Sequence, residues 1–121
     1  MAYRLTALAQ EQMAQILLDS NRTWGEQAAD RYRRLMLAGM QAVEDAPRRP
    51  GSHEVAGITG VHVFALRLVR LRVAREHRVG QPRHLIVYRL APDGIADILG
   101  FAHDRMELDR AARQMLRAAD L

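Results

Sequence analysis

The chain changes hydrophobic period near its middle. In the first half, Leu8, Met13, Ile16 and Leu17 fall on roughly one helical face behind Thr6, a residue suited to cap a helix N-terminus. Ser20-Asn21 is expected to end that helix. Thr23-Trp24-Gly25-Glu26 then has the T-x-x-E form of a capping box, in which the two side chains satisfy each other's orphan amides. Ala28, Tyr32, Leu35, Met36, Gly39 and Val43 follow a 3.6-residue period until Pro47, which cannot continue a helix. Two helices joined by a two- or three-residue turn pack antiparallel. Gly39, on the inward face, would let a neighbour approach closely.

Pro47 to Gly60 reads as loop, and after it the period shortens to two. Val61–Val73 is expected to be a strand. Its first half is apolar on both faces, and its second half turns Arg67, Arg70 and Arg72 toward water. Ala74–Pro82 reads as a polar loop and His84–Leu90 as a strand. Ala91-Pro92-Asp93-Gly94 reads as a hairpin turn, in which Pro presets φ and Gly accepts the left-handed region. Ile95–Ala102 is then the partner strand, and residues 104–119 are compatible with a helix. The expected architecture is α+β: an N-terminal two-helix antiparallel hairpin packed on a small antiparallel sheet (ααβββ), with a short C-terminal helix, in a single domain spanning 1–121.

Composition narrows the classes. With 121 residues, 49% hydrophobic, the chain can bury a core without staples, and it has no Cys to make any. Disulfide frameworks and Cys-based zinc sites are excluded, and a reducing cytoplasm is the natural setting. No apolar run is long enough to span a membrane. Every one of the 18 basic residues is Arg. They are unevenly spread: residues 61–90 hold seven Arg against Glu76 alone, while the flanking segments are neutral or acidic. A positive field concentrated in this way favours a polyanion, either nucleic acid or an acidic protein segment. Planar guanidinium groups suit carboxylates and phosphates equally. A strand edge protected from aggregation by charge would use the same residues. Phe64, Tyr88 and Phe101 are the only aromatics in the expected sheet, and they form no RNA-stacking group.

Candidate catalytic chemistry is sparse. His53, His62, His77, His84 and His103 form no H-x-x-x-H pair, so no metal site is expected. Ser20 and Ser52 lie in no nucleophile elbow, and Gly57 and Gly60 precede no phosphate-binding lysine. Asp93, Asp97, Asp104, Glu107 and Asp109 read as turn residues and first-turn helix acids. His103, at a strand end, could act as an acid or base or simply pack there.

One ordered set of residues carries a family resemblance. Trp24-Gly25-Glu26-Gln27-Ala28 with Tyr32 and Leu35, then Pro82-Arg83-His84-Leu85-Ile86-Val87-Tyr88-Arg89, then His103-Asp104-Arg105-Met106-Glu107, resembles the ParE-type toxins of the RelE/ParE superfamily from about Tyr3 to Met115. Ala102 stands where a larger aliphatic residue is usual, and Glu107 where Asp is more frequent. The resemblance implies a type II toxin held inactive by a ParD-like antitoxin, which has a ribbon-helix-helix N-terminus and an amphipathic, often acidic C-terminal segment. It further implies inhibition of DNA gyrase by binding, with no cofactor, no catalytic residue, and contact with operator DNA only through the antitoxin. On this basis Arg67, Leu68, Arg70 and Arg72 are expected to contact the antitoxin, and His103, Arg105 and Met106 to face the target. The alternative is a RelE-like ribosome-dependent endoribonuclease, for which Arg67, Arg89 and His103 are the only available set.

Overall fold

The computed structural model describes residues 3–104 and 107–120. The elements run β1 (Arg4–Leu5), α1 (Ala7–Trp24), α2 (Glu26–Asp45), β2 (His53–Glu54), β3 (Val61–Ala65), two 3₁₀ segments (Leu66–Arg72 and Arg75–His77), β4 (His84–Leu90), β5 (Ala96–His103) and α3 (Leu108–Ala119). The sheet order is β1-β5-β4-β3-β2. β1 runs parallel to β5, and the other pairs are antiparallel. The α+β expectation, with a helical hairpin first and a helix last, describes the molecule. The sheet gains two edge strands, each of two residues, too short to carry a readable period.

Thr6 caps α1 as its position suggests. Its side-chain oxygen accepts from the Ala9 amide at 3.1 Å, and its hydroxyl donates to the Leu99 carbonyl at 3.2 Å, so the cap also pins the helix to β5. Helix α1 does not end at Ser20-Asn21. It continues to Trp24, and the Gly25 amide closes the last turn on the Asn21 carbonyl at 2.9 Å. The Thr23–Glu26 capping box therefore does not form, because Thr23 is still inside α1. Gly25 alone joins the helices, as C-cap of one and N-cap of the next, with a φ of 94° that a side chain would strain.

α2 buries Leu35, Met36, Gly39, Met40, Ala42 and Val43. With Ile86 and Tyr88 of β4 and Ile98 and Phe101 of β5, they form the core between hairpin and sheet. Val63, Val87, Leu99 and Ala102 face the other way, onto Ala112 and Met115 of α3. The sheet is thus covered on both faces. Ile98 and Phe101 share a face although three residues apart, because the ladder skips a residue: Val87 pairs with Gly100 and Tyr88 with Ile98. Beside this bulge the Phe101 amide donates to Gln12 Oε1 of α1 at 2.8 Å.

The strand expected over Val61–Val73 stops at Ala65. From Leu66 the chain coils into a 3₁₀ turn that buries Leu66 and Val69 beneath α2. These two residues are three apart, the repeat of a 3₁₀ helix, whereas the odd spacing would put them on opposite faces of a strand. Gly39 makes the docking possible: a Cβ there would lie 2.6 Å from Leu66 Cδ2 and 2.9 Å from Ile86 Cδ1. The loop expected over Ala74–Pro82 is a loop interrupted by the second 3₁₀ turn.

Candidate functional site

Two surfaces occupy the same end of the sheet, where β3 finishes, β4 begins and β5 finishes. The first is the 3₁₀ arm over Leu66–Arg72. With Leu66 and Val69 turned inward, the outer side carries Arg67, Leu68, Leu71 and Arg72. Leu68 is 47% and Leu71 72% exposed, among the largest exposures of any big aliphatic side chain in the chain. Arg67 and Arg72 have no carboxylate partner among the described residues. Arg70 is different. It is half-buried, and its Nε donates to the Val79 carbonyl at 2.6 Å, fastening the following loop to the arm. The adjacent Arg78 donates from Nε to the Val73 carbonyl at 3.0 Å. The expected antitoxin-contact residues Arg67, Leu68, Arg70 and Arg72 are therefore gathered on one short helix and not along a strand. Leu71 joins them; in a strand it would share a face with Arg67 and lie opposite Leu68, Arg70 and Arg72.

The second surface is a cleft of about 840 Å³ between the tip of the helical hairpin, the segment 78–83 and the strand-end histidines. Its floor follows from register, since His84 and His103 lie directly opposite each other on β4 and β5. Their rings meet edge to face with centroids 5.4 Å apart. Tyr32 comes down from α2 at the 3.6-residue spacing of its core-facing neighbours, and its hydroxyl shares a hydrogen bond with His84 Nδ1 at 2.5 Å. His103 Nδ1 lies 3.1 Å from Asp104 Oδ1, and Arg83 reaches the other oxygen of Asp104 at 3.7 Å. The ladder continues past the histidines, as the Asp104 amide donates to the Arg83 carbonyl at 2.9 Å. Arg105 and Met106, expected to face the target beside His103, lie outside the described residues.

Burial sets the protonation of the cleft. It pushes the Tyr32 phenol up to about 12, helped by the Asp104 charge and opposed by the Arg83 and His84 amides. Burial also holds His84 below the usual imidazole range; neighbouring His103 adds to this, and Asp104 pulls the other way. At neutral pH Tyr32 and His84 are thus both uncharged.

The set Arg67, Arg89 and His103 does not converge. Arg89 sits at the opposite end of β4 from His84, roughly 17 Å along the strand. There it is engaged with Asp97 of β5 at 3.7 Å and Asp120 beyond α3 at 3.1 Å. Among the described residues no group of His, Asp or Glu could hold a metal ion. None of their helices is long and apolar enough to cross a membrane.

No curated protein matches the sequence significantly. A family model does: the one described as ParE toxin of type II toxin-antitoxin system, parDE, matches residues 3–108. That stretch runs from β1 through the hairpin, the arm and the cleft to the start of α3, and the chain belongs to the ParE toxin family of type II toxin-antitoxin systems.

Proposed function

We propose that this toxin is neutralised in the cytoplasm by a ParD-like, ribbon-helix-helix antitoxin. Once released, it inhibits DNA gyrase by binding and not by catalysis, and it needs no cofactor. Operator DNA is reached only through the antitoxin. The antitoxin's acidic, amphipathic C-terminal segment lies along the 3₁₀ arm: Leu68 and Leu71 take its apolar side chains, and Arg67 and Arg72 its carboxylates. Arg70 keeps the arm and its loop in place and adds charge. His103, with Arg105 and Met106, belongs to the end that meets the target.

What carries this reading, beyond family membership, is the coincidence of two exposed leucines with unpaired arginines on one short helix. Isolated exposed leucines need no explanation. Two on adjacent turns, flanked by guanidinium groups without partners, present the mixture of apolar anchor and cationic rim that an acidic amphipathic segment satisfies. The endoribonuclease reading lacks a comparable observation, because Arg89 is spent at the far end of the sheet.

The deciding experiment frees the toxin from its antitoxin and compares gyrase supercoiling with ribosomal mRNA cleavage. Loss of supercoiling with intact mRNA is expected. Cleaved mRNA with unaffected supercoiling would replace this reading with the nuclease one. Binding of a ribbon-helix-helix protein encoded next to the toxin gene tests the antitoxin assignment separately.

A further inference from the structure

The cleft has a composition that antitoxin binding on the arm does not use. Trp24, the last residue of α1, is 77% exposed and lines it. Arg31, Arg78 and Arg83 reach it from three different segments, with Asp19 the only carboxylate on its wall. Arg31 is exposed and has no ion pair or hydrogen bond among the described residues. Arg83 has a single long pairing with Asp104, at 3.7 Å. The floor is made of rings, Tyr32, His84 and His103, held by one another.

We infer that this cleft binds a nucleotide, with its base against the Trp24 indole and its phosphate among the guanidinium groups of Arg31, Arg78 and Arg83. The volume, about 840 Å³, lies within the roughly 300–1,000 Å³ of small-molecule sites. An open indole face provides a stacking platform for any base, and guanidinium groups match phosphate oxygens two at a time. His84 and His103 add two planar rings to the same floor. An acidic peptide would satisfy the arginines too, and one that entered as an added strand would need free backbone partners. At this end of the sheet the backbone is already paired, with His84 opposite His103 and the Asp104 amide on the Arg83 carbonyl. Side chains are what the cleft offers, and they are planar and cationic. The ligand is either a free mononucleotide or one residue of a single strand, since both present the same base and phosphate.

This inference is independent of the gyrase and ParD assignments, although His103 belongs to both surfaces. Its test uses the full chain, in which Trp24 is the single tryptophan and therefore a reporter inside the cleft. Indole fluorescence, excited where adenine does not absorb, is followed while adenosine monophosphate or a short oligoadenylate is added. Saturable quenching by either is expected, about tenfold weaker for adenosine or inorganic phosphate alone. Quenching by the mononucleotide identifies a free nucleotide as sufficient; quenching by the oligomer alone identifies a strand. Arg31→Ala and Arg83→Ala should each weaken binding about tenfold with thermal unfolding unchanged, whereas Arg110→Ala, on the exposed face of α3, should leave it alone. No saturable quenching by mononucleotide or oligomer, wild-type affinity in the Arg31→Ala/Arg83→Ala double variant, or equal binding of a polyglutamate peptide would overturn the inference.

Discussion

The two ends of the sheet contain the same cationic residue and use it in opposite ways. At one end Arg4 reaches Asp93 at 2.9 Å and Asp97 at 2.8 Å, while Arg89 reaches Asp97 and Asp120. At the other, Arg67, Arg72 and Arg75 have no carboxylate partner among the described residues, and Arg70 and Arg78 donate to main-chain carbonyls. A count of charge along the chain cannot separate these cases, because the acids that neutralise Arg89 come from the hairpin partner strand and the far terminus. The field of the molecule is set by which arginines the fold leaves over. It leaves over those beside Leu68, Leu71 and Trp24, where the apolar surface is also uncovered.

The comparison can be broken most forcefully at its foundation. Gly39→Val would drive a branched side chain into Leu66 and Ile86 and should cost about 3 kcal/mol, read by denaturant unfolding. An unchanged midpoint would mean that the arm is not seated on α2 as described. Next, reversing Arg67 and Arg72 together to Glu should weaken antitoxin binding about 30-fold, or about 2 kcal/mol, at low salt, and less at high salt. Isothermal titration at two ionic strengths measures it. The contrast between the ends would disappear if replacing the paired Arg4 and Arg89 had an equal effect. Arg70→Ala should cost about 1 kcal/mol of stability and speed amide exchange across residues 73–80, without the salt dependence of the outer arginines.

How much of this was readable beforehand depends on how long each pattern runs. The core face of α2 holds from Leu35 to Val43, whereas Ala28 is only half-buried and lines the cleft, and β4 has the limits its alternation gave. The arm failed because Leu66, Leu68, Val69 and Leu71 satisfy a period of two or of three almost equally well. Only the space above Gly39, a tertiary fact, selects three. The Thr23–Glu26 signal failed because a glycine between them accepts a positive φ, so α1 could run on to Trp24 and turn in one residue. The same turn leaves Trp24 as an open indole lining the cleft, where the capping-box pattern places it inside a cap. His84 and His103 were visible singly; their pairing needed the register of β4 on β5.

The smallest expected effect is acid sensitivity. His84 is held below its ordinary 6.5 by burial, so the unfolded chain takes up a proton there before the folded one does. Stability should therefore decline as pH falls below about 6.5 and level off once folded His84 is also protonated. Tyr32, His103, Asp104 and Arg83 surround this imidazole, and His62, also depressed chiefly by burial, adds to the slope from elsewhere in the sheet. His84→Gln should make the profile shallower without flattening it; an identical profile would place the proton uptake elsewhere.

The hydrogen bond from Arg70 to the Val79 carbonyl has a consequence for traffic between the two surfaces. Arg70 belongs to the arm, and Val79 is part of the cleft wall, next to Arg78. A partner that drew this guanidinium toward itself would tug on the wall, and a ligand that settled the wall would steady the guanidinium. Any communication through this bond would have the same sign in both directions, each occupant changing the other's grip by one shared factor.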